Sequence, residues 1–139
     1  GLGDVYKRQL QACYREITAN EQQWEEYNLE GAEYVITAFG TVARIAKSAI
    51  VELKEQGINV GLVRPITVWP FPYDAVKKAA EQPGVKAVLD VELNEGQMLE
   101  DVKLAINGAK PVDFFGHLGS QMPTTEEIKA KIISMKEGK

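Results

Sequence analysis

The sequence predicts an α/β domain: three layers, α/β/α, around a mostly parallel sheet of about four to five strands. Three observations predict it. Short β-branched and aromatic runs alternate with longer stretches whose apolar residues recur at helical spacing. Glycine or proline closes most of these stretches. The length, 139 residues, suits one domain, since domains cluster at roughly 100–150 residues.

Residues 1–9 show no period and read as a non-native tag or artefact, outside the fold. Residues 10–31 read as a linker strap, acidic but anchored by Tyr14, Ile17, Trp24 and Tyr27, and are expected to be partly helical. Residues 32–139 form the α/β domain proper. Its first strand is Tyr34-Val35-Ile36-Thr37-Ala38-Phe39, ending at Gly40. Thr41 opens a helix with Val42, Ile45, Ala46, Ala49, Ile50 and Leu53 on one stripe, and Gly57 stops it. Residues 58–64 make a second apolar run before Pro65, and 74–82 a short helix stopped by Pro83-Gly84. A third strand spans 85–91, and a helix over 96–107 turns Met98, Leu99, Val102, Ala105 and Ile106 inward. Residues 112–115 make a fourth strand. Thr124 and Glu127 form a capping box that opens the last helix, with Ile128, Ile132 and Met135 on one face.

Ligands and partners of open α/β sheets meet the carboxyl ends of the strands, and three such ends carry candidate residues. At Phe39-Gly40-Thr41, glycine turns the chain into a helix whose amino end offers free N–H groups to an anion, but no glycine-rich phosphate motif surrounds it. A tight turn at Gly40 with Thr41 as a helix cap is the simpler reading. The second end is Arg64-Pro65-Ile66-Thr67-Val68-Trp69-Pro70-Phe71-Pro72, where three of the six prolines stiffen an extended loop. Trp69 and Phe71 either anchor an interface or fold back onto their own domain. Arg64 is placed to pair with a carboxylate of a neighbouring loop such as Glu92. The third end is Asp90-Val91-Glu92-Leu93-Asn94-Glu95-Gly96-Gln97-Met98. Two carboxylates on one strand face invite an acid/base or metal role, yet no histidine or cysteine adjoins them. Loop hydrogen bonds, with Asn94 and Glu95 capping the next helix, are the favoured reading. His117, the only histidine, lies between glycines in Phe115-Gly116-His117-Leu118-Gly119 and reads as a loop residue able to line an interface.

Taken in order and spacing, Tyr34 to Gly40, Ala43-Arg44-Ile45-Ala46-Lys47, the Gly57-to-Pro72 run and Val91-Glu92-Leu93-Asn94-Glu95-Gly96-Gln97-Met98 resemble the α subunit of 2-oxoacid:ferredoxin oxidoreductases. The branched-chain (3-methyl-2-oxobutanoate) type is the nearest within it. The resemblance runs over residues 11–134, and its most specific element is the Arg-Pro to Trp-Pro-Phe-Pro run. It implies a transketolase-carboxyl-terminal-like domain cut from a longer subunit. The whole enzyme would use thiamine diphosphate, magnesium, coenzyme A and iron–sulfur clusters to decarboxylate a 2-oxoacid oxidatively to an acyl-CoA, passing electrons to ferredoxin. On this chain it implies a non-catalytic structural and assembly domain, inactive alone, whose partners are the other domains and subunits. No Gly-Asp-Gly diphosphate motif and no cysteine set occurs here, so no catalytic, cofactor-binding or metal-binding residue carries over. Gly40, Thr41, Arg64, Trp69, Phe71, Glu92, Asn94 and Gln97 stand as candidate interface or strand-end residues.

Composition sharpens the exclusions. A single cysteine, Cys13, rules out an intramolecular disulfide and a cysteine-ligated cluster within this chain, so implied clusters belong to other chains. Sixteen basic against 20 acidic residues, net −4, argue against a nucleic-acid partner. No apolar run approaches the roughly 18 residues of a membrane span, and a cytoplasmic setting is expected. An exposed Trp69/Phe71 loop without its partner would favour self-association. The same fold closes transketolases and lipoate-linked 2-oxoacid dehydrogenases, which form the alternative within enzymes. A free-standing anion-binding module is the alternative outside them. A phosphotransfer receiver is disfavoured, because Ala38-Phe39-Gly40 stands where its acidic pair would be.

Overall fold

The computed structural model describes residues 14–19, 22–66, 71–93, 98–116 and 122–138. In chain order the elements are β1 (Tyr14–Ala19), β2 (Gln22–Tyr27), β3 (Tyr34–Ala38), α1 (Thr41–Glu55), β4 (Val60–Pro65), α2 (Tyr73–Glu81), β5 (Ala87–Glu92), α3 (Leu99–Ile106), β6 (Val112–Gly116) and α4 (Thr125–Lys136). They form one six-stranded sheet in the order β1-β2-β4-β3-β5-β6. The four central and later strands, β4-β3-β5-β6, run parallel, as βαβ crossovers require. The first two form an antiparallel hairpin on the β4 edge.

The hairpin corrects the expected partly helical strap. Along β2 the side chains alternate: Trp24 enters the apolar cluster on one face of the sheet, and Tyr27 packs against the cluster on the other. A period of two with both faces partly covered is strand geometry. The hairpin also pairs the edge of β4, whose backbone groups would otherwise lack partners. The sheet therefore has six strands rather than four or five.

The helices complete three layers. On one face α1 and α4 cover Ile36, Ala38, Leu62, Leu89 and Val91; on the other α2 and α3 cover Val35, Val63 and Val88. The α1 stripe is buried at Val42, Ala46, Ala49, Ile50 and Leu53 as its spacing predicts. Its end is a Schellman motif: Ile58 N–H reaches Leu53 O and Gly57 N–H reaches Lys54 O, both at 3.0 Å, with Gly57 at φ 82°. The α4 capping box forms in both directions between Thr124 and Glu127. Among the described residues, no helix is long and apolar enough to cross a membrane.

Candidate functional site

The connection leaving β3 crosses one face to β4, and the connection leaving β5 crosses the other to β6. The strand order thus reverses between β3 and β5, and such a switch point at the carboxyl ends is where open α/β sheets bind ligands or partners. Gly40 and Thr41 reach it from β3, and Glu92 from β5.

Gly40 sits at φ 63°, ψ −137°, a conformation open to glycine and strained for other residues. A Cβ added there would meet nothing within 4 Å, so the backbone angle, not space, demands glycine. Thr41 is not the cap its position suggested. Gly40 occupies the cap position, Ala43 N–H bonds Gly40 O at 3.1 Å, and no side chain caps α1. Phe39, just before the turn, is 42% exposed at the rim.

Arg64 does not meet Glu92. It bonds Glu25 Oε1 at 3.1 Å, across the β2–β4 pair in which these two residues stand opposite each other. Glu92 is two strands further across, and its strand-mate Val88 lies on the opposite sheet face from Arg64's strand-mate Leu62. Beside this pair, Lys47 of α1 lies 5.9 Å over the Tyr27 ring. Burial holds its ammonium below the usual lysine range; Glu25 opposes that shift, and Arg64 and Arg44 add to it.

Phe71 resolves the open question about the proline-rich loop for its own side chain. It is 1% exposed, in the core beneath α2 and α3, with its ring edge-on to Tyr73 at 5.0 Å and 68°. It is core rather than a docking aromatic, and so contributes nothing to an exposed self-associating loop. Trp69, Asn94, Gln97 and His117 lie outside the described residues.

Glu92 is buried at the end of β5, and its Oε1 accepts Met98 N–H at 2.9 Å, closing the β5–α3 turn. Asp90, fully buried, accepts Thr37 Oγ1–H at 2.9 Å. Burial first, then the adjoining Glu92, push the Asp90 carboxyl up to about 9, with the Thr37 hydrogen bond opposing. Thr37 and Glu25 were not singled out from the sequence; only strand order, which local pattern does not carry, sets them beside Asp90 and Arg64. Tyr73 Oη–H also bonds Asp101 Oδ1 at 2.6 Å and ties α2 to α3.

These groups suit packing and positioning. Among the described residues, no three histidine, cysteine, aspartate or glutamate side chains converge as metal ligands. The carboxylates at the β5 end have the wrong sign for a diphosphate, and both face inward. Thiamine diphosphate and its magnesium do not fit this set.

The family model of the pyruvate:ferredoxin oxidoreductase core domain II matches residues 32–128, most of the chain.

The chain belongs to that domain family.

Its relatives are oxidoreductase subunits by name. The ketoisovalerate oxidoreductase subunit VorB of Methanothermobacter marburgensis is 40% identical over 123 residues, covering 88% of this chain and 34% of that protein. The 2-oxoglutarate synthase subunit KorA of Methanocaldococcus jannaschii is 34% identical over 133 residues, covering 94% of this chain and 35% of that protein. The chain thus spans about a third of the length of these relatives. Among solved structures, a 2-oxoglutarate:ferredoxin oxidoreductase from Magnetococcus marinus superimposes with TM-score 0.67 at 23% identity, over 80% of this chain and 19% of that one. An inactive split-gene transketolase tetramer superimposes with TM-score 0.64 at 18% identity, over 75% of this chain and 38% of that one. These two likenesses show the fold alone: an α/β domain shared with a 2-oxoglutarate:ferredoxin oxidoreductase and a transketolase.

Proposed function

We propose that this domain II is a structural and assembly element of a 2-oxoacid:ferredoxin oxidoreductase, with a branched-chain 2-oxoacid such as 3-methyl-2-oxobutanoate as the whole enzyme's substrate. The observation that carries the reading is the 40% identity to a ketoisovalerate oxidoreductase subunit across 88% of the chain. The inward-facing carboxylates of β5, bonded to Thr37 and Met98, suit a positioning part in it. In this reading thiamine diphosphate and magnesium, coenzyme A and the iron–sulfur clusters sit on other domains or subunits, and ferredoxin meets the enzyme there. When bound there, thiamine diphosphate would supply the electron sink for decarboxylation. The present residues keep two adjoining strand ends in register and present the β3–α1 turn beside them. The enzyme works in the cytoplasm.

The test is reconstitution. Expressed with the rest of its subunit and the companion subunits, the chain should assemble into a complex that reduces ferredoxin fastest with 3-methyl-2-oxobutanoate and coenzyme A. A preference for 2-oxoglutarate would reject the substrate assignment. Alone, with thiamine diphosphate, coenzyme A and an electron acceptor, the chain should give no turnover; measurable turnover would reject the non-catalytic role.

A further inference from the structure

Two carboxylic acids lie inside the sheet with no cation paired to them among the described residues. Asp90 is fully buried and Glu92 is 7% exposed. They stand two residues apart on β5 and project to the same face, toward α2 and α3. One oxygen of each is satisfied, by Thr37 Oγ1–H and by Met98 N–H. The other two, Asp90 Oδ2 and Glu92 Oε2, are buried and meet no donor among the described residues.

The described residues around them offer no compensating charge. β3 contributes Thr37, and β6 sets Phe114 and Gly116 opposite the two acids. α2 turns Ala75 and Val76 inward, and α3 with its preceding turn contributes Val102 and Met98. The charged residues of α2, Asp74, Lys77, Lys78 and Glu81, are exposed. On α3, Glu100 is exposed and Asp101 is held by Tyr73 Oη–H. Two ionised carboxylates so close in a low dielectric repel, and each leaves an acceptor unmet. A single proton removes both penalties, because it neutralises one acid and makes its hydroxyl a donor to the other.

We propose that Asp90 and Glu92 share one proton, and that the protonated pair is a positioning device holding the amino end of α3 on the sheet through the Met98 amide. The shared proton completes a chain: the Thr37 hydroxyl fixes Asp90, the proton joins Asp90 to Glu92, and Glu92 accepts Met98 N–H. Burial and its neighbour both disfavour the charge on Asp90, so the pair keeps a proton. Loss of the proton leaves two buried charges side by side, drives Glu92 out and frees Met98. The amino end of α3 at Met98 is thereby released from Glu92 as pH becomes alkaline.

NMR of the full 139-residue chain with ¹³C-labelled carboxyl groups tests this between pH 5 and 10. One carboxyl should stay protonated at pH 7, and its resonance and the Met98 amide should move together at a midpoint well above the ordinary carboxylate range. Asp90→Asn should abolish the Met98 titration while keeping that amide near its neutral-pH position, because the new side-chain N–H₂ donates where the acid did. If this variant does not fold, the unsubstituted chain decides alone. Ionisation of both carboxyls near pH 4, or a Met98 amide indifferent to the titration, overturns the proposal.

Discussion

At the residue scale, Asp90 links burial to pH. Held at about 9 against an ordinary 3.8, it keeps a proton in the folded chain that the unfolded chain releases. Its contribution to stability is complete below the unfolded value and drains away as pH climbs through the folded one. The stability lost amounts to at most ~1.4 kcal/mol per pH unit within that window. Asp90→Asn carries no titrating proton, so its denaturant midpoint should gain on the unsubstituted chain between pH 5 and 9; parallel curves would contradict this. Gly61 shows the other residue-scale constraint, space. A Cβ there would lie 2.6 Å from Leu29 Cδ2, 2.9 Å from Leu29 Cα and 3.1 Å from Asn28 O, where the chain passes from β2 to β3 over the start of β4. Backbone must move to admit a methyl group, so Gly61→Ala should cost about 2 kcal/mol in chemical unfolding.

At the element scale, helix ends are settled locally. The Thr124 hydroxyl accepts Glu127 N–H at 3.1 Å, and Thr124 N–H reaches Glu127 Oε1 at 3.0 Å. Thr124→Ala should lower stability by about 1 kcal/mol, and Thr124→Ser should restore most of it. Equal stability of the alanine and serine variants would show that packing of Ile128 and Ile132, not the cap, holds α4. These signals were legible because each lies within a dozen consecutive residues: the α1 stripe, the capping box and the Leu53–Ile58 closure. The helix expected over 96–107 is described over Leu99–Ile106 and ends on Asn107 at φ 49°, just before Gly108 at φ 79°. Asparagine tolerates the left-handed region, so the stop falls one residue early.

At the scale of the whole molecule, the hairpin is integral to the domain. Trp24 is buried in the same cluster as Phe71, Val76 and Val102, and its indole N–H donates to Glu26 at 2.9 Å. Trp24→Ala should therefore cost about 3 kcal/mol and leave unfolding as one cooperative transition. A separate early step in circular dichroism would show instead that β1 and β2 dock independently. The Glu25–Arg64 pair crosses the same junction, so the hairpin is fastened on both faces of the sheet.

The sequence by itself determined the alternation of strands and helices, the parallel α/β class, the helix stops and the last helix's cap. Each depends on periods and end signals that a short segment carries whole. It also carried the resemblance to an oxidoreductase α subunit, which the domain II match over residues 32–128 bears out. Only the tertiary structure decided what the strand-end residues touch. Arg64 meets Glu25 rather than Glu92 because the hairpin adds to the β4 edge and β3 separates β4 from β5. Phe71 turns inward because α2 and α3 leave an apolar space beneath them. Asp90 and Glu92 show their spacing in the sequence, but the absence of a nearby cation among the described residues, and hence the need for a proton, comes from burial between helices distant along the chain. Strand order and burial are sums over distant segments, and local pattern does not contain them.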